Sequence, residues 1–236
     1  MPSAWTLLSW GSEGWLDDIA YGVFITVSLA AATLPLGLLI GFFVALAKQA
    51  REPTLRLAGN IYTTIFRGLP ELLTLFLVYY GVQIGLQNLV RLVDPTATVE
   101  VNSFVSGMVA LGVVFSSYAS EVFLSAFRAI PRGQYEGGYS IGLTDGQTMR
   151  LVVLPQLIKI ALPGLANLWL ILLKDTALVS AIGLSDILRQ SGVAARVTRE
   201  AFLFFGLASL IYLVLAIISS FGVRAVERAV QGGTDR

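Results

Sequence analysis

Long apolar segments separated by short polar segments dominate the chain. Four stretches carry no charged side chain and approach or exceed the 20 or so residues that a helix needs to cross a bilayer. They are residues 19–47, 72–90, 101–120 and 201–223. A fifth stretch, 160–185, is apolar apart from the adjacent Lys174 and Asp175. The pattern predicts an all-α membrane protein with five transmembrane helices.

The second span extends upstream of its uncharged core if Arg67 is tolerated inside it. The polar segments between the spans are all far shorter than the 50 or more residues of an independent soluble domain. We therefore expect one membrane domain, 19–223, between an outer segment and an inner tail. The predicted parts are spans 19–47, 57–87, 103–128, 160–183 and 201–223, an outer segment 1–18, an inner loop 131–155 and a tail 224–236.

The first span contains two glycines four residues apart, Gly37 and Gly41. Small residues at this spacing let two helix backbones approach closely inside a membrane. We expect ordinary close helix packing at this point rather than a binding function.

The basic residues fall mainly on one side of the predicted membrane. That side holds Lys48, Arg51, Arg56, Arg128, Arg132, Arg150, Lys159, Arg224, Arg228 and Arg236, and the other holds Arg91, Arg189, Arg196 and Arg199. Cytoplasmic loops carry an excess of Lys and Arg. The N-terminus is therefore predicted outside and the C-terminus inside.

The composition supports a membrane protein and excludes several kinds of chemistry. Apolar residues make up 56% of the chain, charged residues 13%, and the mean hydropathy is +0.76, whereas soluble domains carry about 25% charged residues. The chain has no Cys and no His, so it lacks a thiolate nucleophile, an imidazole base and the usual metal ligands. Its net charge of +1 provides no basic excess for nucleic acid. We expect neither an enzyme nor a nucleic-acid-binding protein.

The inner loop carries Glu, Gly and Leu-Pro at regular intervals. Glu136 is followed by Gly137 and Gly138, and Gly142 comes six residues after Glu136. Nine residues then separate Gly142 from the aliphatic Val152, and Leu154 and Pro155 follow after one further residue. This spacing resembles the EAA loop of the permease subunits of ABC importers. The simpler alternative is a basic surface loop in which Gly and Pro only separate two helices.

The resemblance implies a role for the loop. In that family it forms a short helix-turn-helix that docks in a groove of the ATPase subunit, which would place Glu136 on the docking helix and Gly142 at the turn. Gly137 and Gly138 stand where the family usually has Ala, and each should cost about 1 kcal/mol of helix propensity. A weaker docking helix is therefore expected.

Two further stretches, 66–72 and 173–180, resemble the branch of these permeases that serves polar amino acids, including the histidine/lysine-arginine-ornithine, glutamine, arginine and opine importers. The similarity extends over about 21–223. It implies the type I importer fold in a bacterial inner membrane, a second permease subunit that is another copy or a homologous chain, and a periplasmic binding protein. It also implies two ATPase subunits, which would bind ATP and Mg²⁺ in place of this chain.

Several charges lie within the predicted membrane domain, namely Arg67, Glu71, Glu121, Lys174 and Asp175. An isolated charge at a helix centre costs roughly 2.5 to 3.5 kcal/mol, so these side chains should be partnered inside the protein. Internal pairing, with Arg67 and Glu71 four residues apart, is one interpretation.

The alternative interpretation of these charges is a substrate path. Pro70 interrupts the helix beside them, which a membrane protein tolerates where protein or a water-filled cavity satisfies the freed carbonyl. Arg67 or Lys174 would then receive a substrate carboxylate, and Asp175, Glu121 or Glu71 an ammonium group. The excess of acids favours a cationic amino acid or an opine.

A gradient-driven carrier or channel is the rival interpretation, since it could use the same charges as an ion relay. Such carriers commonly contain an inverted repeat, which is not evident in these five spans. A carrier would also have no need of a structured loop like 136–155.

Overall fold

The computed structural model describes residues 4–11, 13–98 and 100–231. These residues are mostly helical, and no strand occurs among them. Parts of the predicted outer segment and inner tail, residues 1–3, 12 and 232–236, lie outside the described residues. In chain order the elements are α1 (Ala4–Leu7), α2 (Leu16–Gln49), α3 (Pro53–Gly68), α4 (Glu71–Arg91), α5 (Ser103–Ala129), α6 (Arg132–Ser140), α7 (Asp145–Thr148), a π-helical segment (Met149–Val153), α8 (Leu154–Asp175), a 3-10 segment (Thr176–Ile182), α9 (Ile187–Thr198) and α10 (Ala201–Gln231).

Five helical stretches of the described chain are long and apolar enough to cross a membrane, which confirms the predicted number. They are Leu16–Gln49, Glu71–Arg91, Ser103–Ala129, Asp145–Ile182 and Ala201–Val230. The chain is therefore a multi-pass membrane protein.

The second predicted span, 57–87, is not one continuous helix in the structure but is divided into two helices. α3 ends at Gly68, Leu69 is extended with φ −89° and ψ 144°, and α4 begins at Glu71. Pro70 has no N–H to donate, and its ring disfavours helical geometry in the residue before it. Arg67 consequently lies at the end of one helix and Glu71 at the start of the next.

The centre of the core is the contact between α2 and α5, which run in the same direction. A Cβ on Gly41 would lie 2.9 Å from the Cβ of Ala119, and one on Gly37 would collide with the ring of Phe115. Only glycine permits these approaches, so the close packing expected for Gly37 and Gly41 is confirmed.

The two ends of the bundle carry different accessory helices. At the end where α2 begins, Ile19 packs with Ala194 and Ala195 of α9 and with Phe204 of α10. Because α5 runs parallel to α2, the segment that follows α5, including α6 and α7, lies at the opposite end. The predicted inner loop and the loop that contains α9 are thus on opposite sides of the bundle.

Candidate functional site

A cluster of three charged side chains joins α2, α3 and α5. Glu121 of α5 accepts a hydrogen bond from the ammonium group of Lys48 of α2, and its Oε1 also lies 3.2 Å from Nη1 of Arg67 at the end of α3. Lys48 further donates to the hydroxyl of Thr63, at 3.1 Å. The Lys48 side chain is 6% exposed and that of Arg67 is 44% exposed. Lys48 is therefore enclosed, whereas Arg67 keeps an open side.

Two tyrosines hold α3 against α5 next to this cluster, one through its hydroxyl and the other through its ring. The hydroxyl of Tyr62 lies 2.7 Å from that of Ser116 and donates to the carbonyl of Val113, at 3.1 Å. The guanidinium of Arg67 lies over the ring of Tyr118, 5.5 Å from its centre, a favourable arrangement for a cation and an aromatic face. Arg67 is thus oriented by a carboxylate and by a ring.

The structure does not form the Arg67–Glu71 pair that spacing alone suggested. No ion pair within 4 Å joins Arg67 to Glu71 in the described chain, whereas Glu121 pairs with both Lys48 and Arg67. The i,i+4 rule applies within one continuous helix, and the break at Leu69 and Pro70 separates the two side chains. The partner of Arg67 comes instead from α5.

A second set of charges lies where two helices are interrupted. Glu71 begins α4, and Asp175 ends α8 immediately after Lys174. Asp175 is within electrostatic range of both Glu71 and Lys174, yet no ion pair within 4 Å forms among these three in the described chain. Glu71 and Asp175 are partly buried and Lys174 is exposed. The two acids therefore keep carboxylates without an ion-pair partner, within electrostatic range of each other.

An open depression of about 380 Å³ lies beside Glu121, between α5 and α8. Its wall includes Val122 of α5 and Gly164 of α8, where a Cβ on the glycine would lie 2.7 Å from Cγ1 of Val122. Glu121, 31% exposed, is accordingly accessible from this side.

Lys48 is the member of the charge cluster that sequence reasoning missed. The first apolar run ends at Ala47, so the sequence pattern places Lys48 among the basic residues on the inner side of the membrane. The helix continues to Gln49, and the long lysine side chain extends from its last turn to reach Glu121. A need for an internal partner at Glu121 was the available signal, but the sequence did not indicate which cation supplies it.

The predicted inner loop forms two helices joined by a tight turn. α6 carries Glu136 and Gly137 on its exposed side, while Tyr135 packs against the main core. Gly142 has a φ of +82°, the left-handed conformation in which glycine is unstrained. The N–H of Gly142 donates to the carbonyl of Tyr139, and that of Leu143 donates to the carbonyl of Gly138. This is the hydrogen-bond pattern of a Schellman motif.

Several side chains stabilise the second half of the loop. Thr144 and Gln147 form a capping box at the start of α7. A hydrogen bond from the Tyr139 hydroxyl to Asp145 spans the turn and raises the pKa of Tyr139. The amide of Gln156 donates to the side chain of Gln134, at 2.9 Å. The loop is therefore a defined helix-turn-helix.

The two glycines of α6 have different surroundings. A Cβ on Gly137 would meet nothing within 4 Å, whereas one on Gly138 would lie 2.7 Å from Cγ2 and 2.8 Å from Oγ1 of the buried Thr148. The expected loss of helix propensity applies to both positions, but at Gly138 the glycine is also required by packing.

Leu154 and Pro155 lie at the junction between the loop and the fourth span. Leu154 packs against the main core, and Pro155 is exposed in the first turn of α8. Proline removes a hydrogen bond and clashes with the carbonyl four residues earlier. The π-helical segment Met149–Val153 precedes this point and accommodates the proline without a break.

The sequence matches the family described as "binding-protein-dependent transport system inner membrane component" over residues 37–232. It is 39% identical over 229 residues to the nopaline transport system permease protein NocQ of Agrobacterium fabrum, covering 97% of each chain. It is 36% identical over 223 residues to the histidine/lysine/arginine/ornithine transport system permease protein HisQ of Salmonella typhimurium, covering 94% of this chain and 97% of HisQ.

Solved structures resemble the chain as well. A structure titled as an amino acid ABC transporter with histidines matches with a TM-score of 0.77 and 30% identity, covering 91% of this chain and 95% of the other. The MetNI methionine ABC transporter, at 18% identity, shares the fold with a TM-score of 0.72, over 91% of this chain and 97% of the other. With the five spans and the helix-turn-helix between the third and the fourth, these matches establish that the chain belongs to the family of binding-protein-dependent transport system inner membrane components.

Proposed function

We propose that the chain is the permease subunit of an ATP-driven importer for a cationic amino acid or an opine. Its family, together with relatives that are named as permeases for nopaline and for histidine, lysine, arginine and ornithine, supports the transport of such solutes. The pair of nearby carboxylates without an ion-pair partner, Glu71 and Asp175, is the structural observation that carries the substrate class.

The charges divide into two sets with opposite balance. Glu121 is shared by Lys48 and Arg67, so this set is net positive and suits a carboxylate. Arg67 keeps an open side and can bind a carboxylate through two parallel hydrogen bonds. Lys174 is a second candidate for this role because it is exposed beside Asp175.

The second set is net negative and suits cationic groups. Glu71 and Asp175 would each receive one positive group, the α-ammonium and a charged side chain. Glu121, considered for this role from the sequence, is a weaker candidate because two cations already neutralise it. A neutral amino acid would leave one of the two carboxylates without a partner inside the membrane, which is costly.

The helix-turn-helix suits coupling to an ATPase. The exposed side of α6 presents Glu136 and Gly137 at the end of the bundle where basic residues are concentrated. Gly138, Gly142, Leu154 and Pro155 hold this helix in place rather than contact a partner. Two ATPase subunits would dock on the loops of two permeases and bind the ATP and Mg²⁺.

Orientation and partners complete the proposal. The N-terminus and α9 would face the periplasm, and the loop 131–155 and the C-terminus the cytoplasm of a bacterium, following the distribution of Lys and Arg. A second permease, another copy or a homologous chain, would line the path, and a periplasmic binding protein would deliver the substrate. ATP binding would open the path outward, and hydrolysis would return it to the inward-facing state.

Co-purification from native membranes tests the assembly. Proteins that remain with this chain in mild detergent are identified by mass spectrometry, and the purification is repeated with Glu136→Ala and Gly142→Ala combined. We expect an ATPase to be recovered with the native chain and lost with the variant. The importer proposal is wrong if no ATPase accompanies the native chain.

Uptake into proteoliposomes tests the substrate class. The reconstituted complex and its binding protein are assayed with labelled L-arginine, L-histidine, nopaline and, as a neutral control, L-glutamine. We expect ATP-dependent uptake of a cationic compound or opine, and loss of that uptake in Arg67→Gln and Asp175→Asn but not in Asp18→Asn, which alters an exposed outer acid. Normal uptake by both site variants would refute the assignment of the substrate-binding residues. Uptake driven by an ion gradient without ATP would refute the proposal of an ATP-driven importer.

A further inference from the structure

The fourth span changes its helix type at the charged site. α8 ends at Asp175, and the next seven residues, Thr176–Ile182, form a 3-10 helix that ends at Gly183 with φ +92°. Runs of 3-10 helix longer than three or four residues are uncommon, and such a stretch often marks a hinge. Whatever holds the 3-10 segment therefore also sets the position of Asp175.

Four polar side chains from four elements meet at the start of this segment. Thr176, Thr26 of α2 and Asp186, which precedes α9, are each 0% exposed. The hydroxyl of Tyr212 from α10 is in electrostatic contact with all three. We call these four residues the outer junction.

The outer junction contains two buried oxygen atoms with incomplete bonding. Among the described residues, neither the Tyr212 hydroxyl nor Oδ2 of Asp186 has a hydrogen bond of standard geometry, although the two groups interact electrostatically. A buried polar atom without a hydrogen bond costs about 1–3 kcal/mol. A small movement that brings the hydroxyl onto the carboxylate would remove this cost.

The same junction connects the 3-10 segment to α9. Oδ1 of Asp186 accepts a hydrogen bond from the backbone N–H of Arg189, at 2.9 Å, and so caps α9. The guanidinium of Arg189 donates to the carbonyl of Ser180 in the 3-10 segment, at 3.4 Å. A Cβ on Gly22 of α2 would lie 2.9 Å from the backbone of Asp186. α9 is therefore tied to the 3-10 segment through Arg189, and its first residues pack closely against α2.

We propose that Tyr212 is a positioning residue, whose hydroxyl links α9 through Asp186 to the 3-10 segment, so that a movement of α9 shifts Asp175 in the substrate path. This inference rests on the proposed function, in which α9 is on the side that receives the binding protein. Tyr212 itself contacts no substrate in this arrangement.

The test measures movement of the 3-10 segment rather than transport alone. The chain contains no Cys, so Ala181→Cys places a single reactive thiol in this chain, at an exposed position of the segment. The rate of maleimide labelling is measured in the complete permease–ATPase complex in nanodiscs, without nucleotide and after trapping with ATP and vanadate. We expect the two rates to differ by at least about fivefold, which is the fold-change that corresponds to the lower end of typical coupling free energies.

Tyr212→Phe removes only the hydroxyl, and Tyr21→Phe, at an exposed tyrosine of α2, is the matched control. We expect the difference between the two states to fall below about twofold in Tyr212→Phe and to persist in Tyr21→Phe. Asp186→Asn provides a second variant should Tyr212→Phe fail to assemble, with the same expected loss. A purely structural role would lower the yield without changing the ratio of the two rates.

Two outcomes would overturn the proposal. Tyr212→Phe or Asp186→Asn could assemble and retain the native difference in labelling, or the native complex could show no difference between the two states. Failure of the proposed function would be evident separately, as an absence of ATP-dependent uptake by the native complex in proteoliposomes.

Discussion

Replacing Glu121 by Gln tests the shared ion-pair cluster most directly. The substitution keeps the shape of the side chain and removes the charge that neutralises two cations. Lys48 is only 6% exposed and would retain only neutral acceptors, the hydroxyl of Thr63 and the amide oxygen of the new glutamine. Removing one partner of a buried ion pair costs about 3–5 kcal/mol, whereas the half-exposed Arg67 should contribute at most about 1 kcal/mol. We therefore expect a loss of about 3–5 kcal/mol, arising mostly at Lys48.

Thermal unfolding of the purified chain in detergent measures this loss. For a protein of this length, 1 kcal/mol corresponds to a shift of about 2–4 °C, so the midpoint should fall by about 6–20 °C. Glu200→Gln is the matched control, because Glu200 is exposed and makes no ion pair within 4 Å among the described residues. A surface substitution of this kind should stay within about 0.5 kcal/mol of the native chain.

A double-mutant cycle tests whether the unpaired charge of Lys48 causes the loss of stability in Glu121→Gln. Lys48→Met replaces the buried cation with an apolar side chain of similar length, and so removes the uncompensated buried charge that makes a broken ion pair costly. The variant with both Glu121→Gln and Lys48→Met should therefore be more stable than Glu121→Gln alone. Additive losses in the double variant, or a native midpoint for Glu121→Gln, would refute the reasoning.

Two further predictions concern the inner loop and the outer junction. Gly137→Ala should stabilise the purified permease–ATPase complex by up to about 1 kcal/mol through helix propensity. Gly138→Ala should destabilise it by about 1–3 kcal/mol because the new Cβ meets Thr148. The thermal unfolding midpoints of the two variants test this difference, and equal shifts would contradict the packing argument. Burial raises the pKa of Asp186 to about 6 from an ordinary 3.8, so the folded chain binds this proton more tightly than the unfolded chain, and stability is lost as the pH rises through 6. Between pH 5 and pH 7 the native chain should lose about 1 kcal/mol that Asp186→Asn does not lose, measured by thermal unfolding at both pH values; an identical pH dependence in the two proteins would contradict this assignment.

Much of the fold follows from local features of the sequence. The apolar runs locate the five spans because a helix must be long and apolar to cross a bilayer, and the glycines at positions 37 and 41 mark a close helix contact. Gly142 indicates the turn of the inner loop, since few other residues adopt a positive φ without strain. Pro70 indicates an interrupted helix in the sequence, whereas the complete division of the second span into α3 and α4 is evident only in the structure.

The partners of the intramembrane charges depended on the tertiary structure. Spacing along one helix suggested Arg67 with Glu71, whereas packing of α2, α3 and α5 brings Lys48, Arg67 and Glu121 together. The outer junction likewise combines Thr26, Thr176, Asp186 and Tyr212 from distant parts of the chain. The sequence by itself determined which segments enter the membrane, because hydropathy is a local property. Which charges neutralise one another was decided only by the tertiary structure, because ion pairs between helices depend on how those helices pack.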